Sequence, residues 1–258
     1  MEENLESKEK PFVSIIVPVY NTEEYLEECL NCLVNQTLEN IEIICINDAT
    51  EDNSMEIVHN FAKNDNRIRI IENEENKGLS ATRNIGMDAV SGEYTVFLDS
   101  DDAIEKTAFE KLYNEAKEHE QDVIVYNFKR FNNQGAEWFE ILQKKSNISE
   151  YIEKTDILKN SELIYTTTAW NKFIKTDYLK KINLKFIENI LFEDIPFITK
   201  LFCNTDSIGI YPDVIYYWRV RDKSITQTNS NVKNLKDRVY VSKYILNYVD
   251  EEVDEKYK

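Results

Sequence analysis

The chain has 258 residues, enough for one sizeable core or a main domain with a smaller appendage. Its net charge of −17 argues against nucleic acid or a bare anionic membrane as a partner of the bulk surface. No apolar run approaches the ~20 residues of a transmembrane helix, and Met1 to Lys10 is acidic and polar, unlike a signal peptide, so a cytoplasmic protein is expected.

Residues 1–10 read as a disordered tail. Phe12 to Val19 is a nearly continuous apolar run that predicts a buried strand, bounded by Pro11 and by Pro18-Val19-Tyr20-Asn21. A helix over 23–35, a strand at Ile41 to Ile46, a helix over 53–64 and a strand at Arg67 to Ile71 follow. Next come a helix over 79–90, a strand at Tyr94 to Leu98, a helix over 106–119 and a strand at Asp122 to Asn127. Continuous apolar strands alternating with helices imply an α/β fold, a mostly parallel sheet with helices on both faces. No Gly-x-Gly-x-x-Gly follows the first strand, so the usual dinucleotide fingerprint is absent.

The second half is less regular. Residues 128–150 suggest a polar hairpin or loop around Asn132-Asn133-Gln134-Gly135, and 151–165 a helix. A short strand and turn are expected over 168–181, around Ala169-Trp170-Asn171-Lys172. Ile195 to Cys203 predicts a helix with Pro196 in its first turn, where a missing N–H costs little. Strands near 207–211 and 214–220 lead to an amphipathic helix over 232–249 and an acidic tail, Asp250 to Lys258, that suggests a truncated C-terminus.

The four cysteines, 29, 32, 45 and 203, read as reduced thiols. Cys29-x-x-Cys32 lies inside a predicted helix with no second Cys or His pair at zinc spacing, so packing is the expected role. The sequons at Asn35 and Asn147 are read as chance matches.

Unusual polar residues gather where strands end, the usual place for ligands in open α/β sheets. Pro18 and Tyr20 follow the first strand; Tyr20 can stack on a nucleobase, or the segment can simply start a helix. After the second strand, Asp48 can accept from a base or ribose, whereas Asp52 reads as a helix N-cap. Asn76-Lys77-Gly78 leads into a helix carrying Arg83 and Gly86, offering N–H groups and positive charge to a phosphate, or only a capped helix. Asp99, Asp101 and Asp102 close the fourth strand. Three carboxylates in four residues call for a compensating cation, and hard oxygen donors suit Mg²⁺ or Mn²⁺ that also holds substrate phosphates; an acidic helix-capping turn is the alternative. Arg219, Arg221 and Lys223 alternate, so an extended segment would point them to one face, toward a departing diphosphate or toward solvent at a sheet edge.

Four of these segments stand in order: Pro18-Val-Tyr-Asn21, Asn47-Asp48-x-Thr-x-Asp52-Asn-Ser54, Asn76-Lys77-Gly78-x-x-x-x-Arg83-Asn84-x-Gly86 and Phe97-Leu-Asp99-Ser-Asp101-Asp102. Together they resemble the family 2 glycosyltransferases, inverting enzymes of the GT-A fold, and weaker likeness continues through Trp170-Asn-Lys172, Phe192-Glu193-Asp194 and Tyr216 to Ile225. Asn47-Asp48-Ala49-Thr50 departs from the Asp-Asp-Gly-Ser of many relatives but retains Asp48.

The resemblance implies a metal-dependent transfer of a sugar from a nucleotide diphosphate donor, most simply UDP, to a hydroxyl of a saccharide or lipid-linked saccharide. Pro18, Tyr20 and Asp48 would hold the base, with Lys77 and Arg83 near the nucleotide or the sheet end that supports it. Asp99 would contact ribose or sugar, Asp101 would ligate Mn²⁺ or Mg²⁺, and Asp102 would support the metal or face the sugar. Asp194 would be the general base, a carboxylate ionised near neutral pH, with Glu193 and Trp170 on the acceptor side. Helix capping at 193–194 is the alternative reading of the residues themselves. The expected organisation is a donor-binding half (11–127), an acceptor and base-bearing half of the same domain (128–230), and a C-terminal helix with its tail (231–258). A lipid-linked acceptor would bring the protein to the inner face of a membrane. The rival functions are a nucleotide-sugar-binding scaffold without turnover and a sugar nucleotidyltransferase; the latter needs a Gly-rich basic loop after the first strand, which Pro18 to Asn21 does not supply.

Overall fold

The computed structural model describes residues 9–131, 150–220 and 232–253. The first half follows the apolar runs: β1 (Val13–Val19), α1 (Leu26–Val34), β2 (Ile41–Asn47), α2 (Ser54–Ala62), β3 (Ile68–Glu72), α3 (Leu79–Ala89) and β4 (Tyr94–Phe97). Then come a two-residue strand β5 (Ala103–Ile104), α4 (Ala108–Glu118) and β6 (Val123–Phe131). The rest comprises β7 (Ile152–Thr155), β8 (Lys172–Lys175), α5 (Thr176–Lys181), α6 (Asp194–Cys203), β9 (Ile208–Arg219) and α7 (Val232–Glu251).

The nine strands among the described residues join one open sheet in the order β3-β2-β1-β4-β8-β6-β9-β5, with β7 paired to β9. β3, β2, β1 and β4 are mutually parallel. β8 enters antiparallel between β4 and β6, and β6 resumes parallel pairing with β9. Both faces are covered, which is why the strands read as unbroken apolar runs. Ile15, Val17, Ile43 and Cys45 face α1, α2 and α4, whereas Ile16, Ile44 and Phe97 face α3, α5 and α6. Helix α1 shows the logic: Leu26, Cys29, Leu30 and Leu33 repeat at helical spacing and are all buried.

Three expectations change. Residues 151–165 form no α-helix; β7 pairs antiparallel with β9, Ile152 opposite Ile210, and Ser161–Tyr165 makes a 3₁₀ turn. A partner strand offering ladder hydrogen bonds outweighs weak local helix propensity. Strands near 207–211 and 214–220 are one strand, β9, its register with β6 shifted beside Asn127, whose amide donates to the Pro212 carbonyl at 2.6 Å. Phe128–Phe131 extends β6, so the line drawn at 127/128 falls inside a strand; the hairpin expected around Asn132 to Gly135 lies outside the described residues. The four thiols are free, with Cys29 and Cys45 buried. Among the described residues no helix is long and apolar enough to cross a membrane.

Candidate active site at the carboxyl ends of the strands

Because β1 to β4 are parallel, Tyr20, Asp48, Asn73–Gly78 and Asp99–Asp102 meet along one edge of the sheet. Short side chains lock the first loops together: Asn21 N–H donates to Thr50 Oγ1 at 2.8 Å, Glu23 N–H to Asp52 Oδ2 at 2.9 Å and Thr22 Oγ1 to Ser100 Oγ at 3.1 Å. Asp52 also accepts from Ser54 N–H, so its place is structural, as its position before α2 suggests. Tyr20 is 44 % exposed at this edge, while Pro18 is buried within β1 opposite Ile46.

Asp48 is 4 % exposed. Its Oδ1 accepts from Asn73 Nδ2 at 2.9 Å and Lys77 N–H at 2.8 Å, and its Oδ2 from Gly78 N–H at 2.9 Å. The carboxylate therefore shapes the loop before α3, in which Gly78 adopts φ +83°, a conformation glycine tolerates best. The Lys77 side chain stays exposed at the mouth.

Arg83 lies on α3 with 1 % exposure. Nη2 donates to Asp99 Oδ1 at 2.8 Å, Nη1 donates to Asp194 Oδ1 at 2.9 Å, and Nη1 stands 3.7 Å from Glu193 Oε1. Burial works against its charge, but Asp99, Asp194 and Glu193 outweigh it and hold the guanidinium above the usual Arg value. One cation thus joins the acidic turn after β4 to the first residue of α6, across 111 residues of sequence. Phe186, with the Arg83 guanidinium 5.4 Å from its ring centre, walls the site. Asn84, next in sequence, accepts from Phe186 N–H at 2.8 Å and donates to its carbonyl at 3.0 Å, fixing the segment that leads to α6.

Asp194 completes the arrangement. Its Oδ2 accepts from Ala169 N–H at 3.0 Å. Glu193, at the cap position of α6, makes no side-chain capping bond, and Asp194 stands in the first turn of the helix. Burial raises the Asp194 carboxyl above the ordinary range, with Arg83, Ala169 N–H and Lys172 pulling it back. Burial and the Asp194 charge push Glu193 up to about 7, against Arg83. Just upstream, Asn189 and Phe192 take φ 62° and 65°, left-handed values uncommon outside glycine, which marks the approach to α6 as strained.

Asp102, Arg219 and Trp170 also turn inward. Asp102 is 1 % exposed: Oδ2 accepts from Tyr216 Oη at 2.5 Å and Oδ1 from Arg219 N–H at 2.7 Å, while burial and the neighbouring aspartates raise its carboxyl well above the usual range. Arg219 is 5 % exposed, its Nε donating to the Asp101 carbonyl at 2.7 Å and its Nη2 to Glu28 Oε2 at 2.5 Å. Both pin β9 to the acidic turn, because a buried charge needs partners the protein itself supplies. Trp170 is 4 % exposed and stacks on Tyr216 with ring centres 4.4 Å apart. Arg221 and Lys223 lie outside the described residues.

Asp99 and Asp101 are the half-buried carboxylates left at the mouth. Among the described residues no group of three His, Cys, Asp or Glu side chains could hold a metal by itself. The oxygen donors fit a hard divalent ion that takes its remaining ligands from phosphate and water. Asn73 carried little signal in sequence, and Lys172 stood only within the weaker likeness of Trp170-Asn-Lys172. Asn73 and Lys172 show their roles only through partners 25 and more residues away or buried in the turn before β8.

The model of glycosyl transferase family 2 matches residues 14–182. The chain is 35 % identical over 219 residues to the Bacillus subtilis glycosyltransferase EpsJ, covering 84 % of this chain and 63 % of EpsJ. It is also 35 % identical over 224 residues to glycosyltransferase GlyA of Streptococcus pneumoniae, covering 83 % of this chain but 31 % of GlyA. The chain thus spans less than two thirds of these relatives. The crystal structure of S. aureus TarS 1–349 with UDP-GlcNAc superposes with a TM-score of 0.83 at 26 % identity, over 95 % of this chain and 68 % of that one. The matched region runs from the first strand of the site through β8 and α5, and on that extent the chain belongs to glycosyl transferase family 2.

Proposed function

We propose that this chain transfers a sugar from a nucleotide diphosphate donor, UDP-linked in the first instance, to a hydroxyl of a saccharide or lipid-linked saccharide, with inversion at the anomeric carbon. The observation that carries the reading is Arg83, whose buried guanidinium joins half-buried Asp99, after β4, to half-buried Asp194, at the start of α6. The UDP-GlcNAc complex of the similar TarS structure supports the donor class. The poly(ribitol-phosphate) beta-glucosyltransferase of Bacillus spizizenii, 33 % identical over 213 residues, supports a hydroxyl-bearing polymer as acceptor.

In this reading Tyr20 and the loop shaped by Asp48 receive the nucleoside, and Lys77 adds charge at the phosphates. Asp194 accepts the acceptor's proton as that oxygen bonds to the anomeric carbon. The bond from that carbon to phosphate breaks, and the nucleoside diphosphate leaves with the electron pair. Glu193 orients the acceptor. A divalent ion, Mn²⁺ or Mg²⁺, held through Asp101 would neutralise the diphosphate as its charge develops.

Asp194→Asn removes the base and keeps the volume. Its transfer rate should fall by about 10²–10⁴-fold, while calorimetry should show UDP binding with Mn²⁺ largely intact. Equal, measurable rates for the variant and the parent would reject Asp194 as the base, whereas UDP binding with no transfer by either would favour a scaffold without turnover. UDP should stabilise the protein against heat in Mn²⁺ and fail to do so in EDTA; stabilisation that ignores EDTA would refute the metal role of Asp101.

A further inference from the structure

Lys172 is 0 % exposed, the first residue of β8, and no step above uses it. Its Nζ donates to the Thr168 carbonyl at 2.9 Å and also to Asn171 Oδ1. That Asn171 oxygen accepts from Thr168 Oγ1 at 2.9 Å, and Asn171 Nδ2 donates to the Tyr126 carbonyl at 3.2 Å. Lys172 therefore closes the turn at 168–171 against β6. The decisive point is which carbonyl it takes. Thr168 C=O and Ala169 N–H belong to one planar peptide group, and that N–H donates to Asp194 Oδ2 at 3.0 Å.

We propose that Lys172 is a positioning residue for Asp194, acting through the Thr168–Ala169 peptide to aim and strengthen the N–H that holds Oδ2. The inference rests on the reading of Asp194 as the base. A donor on the carbonyl of an amide polarises it and strengthens donation from its N–H, by about 10–30 % per bond in condensed phase. The ionised carboxylate gains from that bond and the protonated one does not, so the relay keeps Asp194 ready to take a proton. It also leaves Arg83 as the single contact on Oδ1 among the hydrogen bonds described for that carboxylate. Burial pushes the Lys172 amine well below the ordinary lysine range while Asp194 pulls it up. Either protonation state keeps two N–H donors for the two oxygens. The charged groups facing Asp194 are Arg83 from α3, Asp99 after β4, Glu193 at the start of α6 and Lys172 from β8.

The test is a carboxyl-carbon NMR titration of Asp194 in the full chain, assigned with Asp194→Asn. Lys172→Met keeps the aliphatic stem and removes the donor. The Asp194 midpoint should rise by roughly half to one pH unit, and the acidic limb of kcat should move with it while the donor KM is unchanged. Thr168→Val loosens the same turn without touching the 168–169 peptide and should leave the midpoint in place. In the unmutated protein the Lys172 Cε resonance should follow the Asp194 titration, which keeps the proposal testable if Lys172→Met does not fold. An unmoved midpoint in folded Lys172→Met, or a flat Cε signal, overturns it. Absence of sugar transfer by the parent protein would instead overturn the glycosyltransferase reading, leaving the NMR result to stand by itself.

Discussion

Arg83 faces three carboxylates with one positive charge, and that imbalance has a measurable consequence at Glu193. Its carboxyl sits at about 7 because burial and Asp194 disfavour its ionisation more than Arg83 favours it. A carboxyl raised in the folded state binds its proton more tightly there than in the unfolded chain, so stability must fall as pH rises. For Glu193 the contribution is full below the ordinary carboxylate value and is lost by about pH 7. Glu193→Gln cannot ionise and lacks this loss. Urea denaturation at pH 5 and pH 8 should show the variant gaining on the parent by roughly 2–3 kcal/mol, since the loss spans about two pH units worth about 1.4 kcal/mol each. A pH-independent difference would mean that Glu193 is solvated or fully compensated. At the same scale, Asp102 and Arg219 show why a motif residue need not touch a ligand: both oxygens of Asp102 are spent on Tyr216 and the Arg219 N–H.

At the scale of elements, α3 matters most, because it carries Arg83 and must lie close to the sheet. Gly86 allows this approach: a Cβ there would meet Ile16 Cγ2 at 2.5 Å and Ile46 Cδ1 at 3.0 Å. Ile16 and Ile46 are 0 % exposed and have no room to retreat. Alanine would gain about 0.8–1.0 kcal/mol of helix propensity but pay an overpacking penalty of about 1–3 kcal/mol. Gly86→Ala should therefore be destabilising by about 1 kcal/mol and Gly86→Val by more, read from denaturation midpoints; a stabilised Gly86→Ala would show that α3 can lift off the sheet. Strands were legible from near-continuous apolar runs where both faces are buried, as in β1 and β2. They were not legible at β7, four residues long and made a strand by pairing with β9.

For the whole molecule, the single sheet decides the behaviour. β8 and β9 come from the second half, yet β8 lies between β4 and β6, and Val123 and Val125 of β6 share a core with Ile208 and Ile210 of β9. A fragment of residues 11–127 would expose the β4 edge and cut β6 short, so it should not unfold cooperatively on its own. In the full chain, Trp138, Trp170 and Trp218 all follow residue 127, so their fluorescence reports on the second half and far-UV circular dichroism on the whole. The two urea transitions should coincide; separated midpoints would mean two independently stable halves.

The chain's own order of residues determined the α/β class, the strand-end motifs and the family, because burial on both faces and close turns leave local, periodic marks. It also placed Asp194 at a helix start and Asp99 at a strand end. Only the tertiary structure joined them, through Arg83, and only it turned Trp170, Asp102 and Arg219 inward. Those outcomes depend on which buried charge finds which partner across a hundred residues, and a desolvated charge is settled by its neighbours in space rather than in sequence.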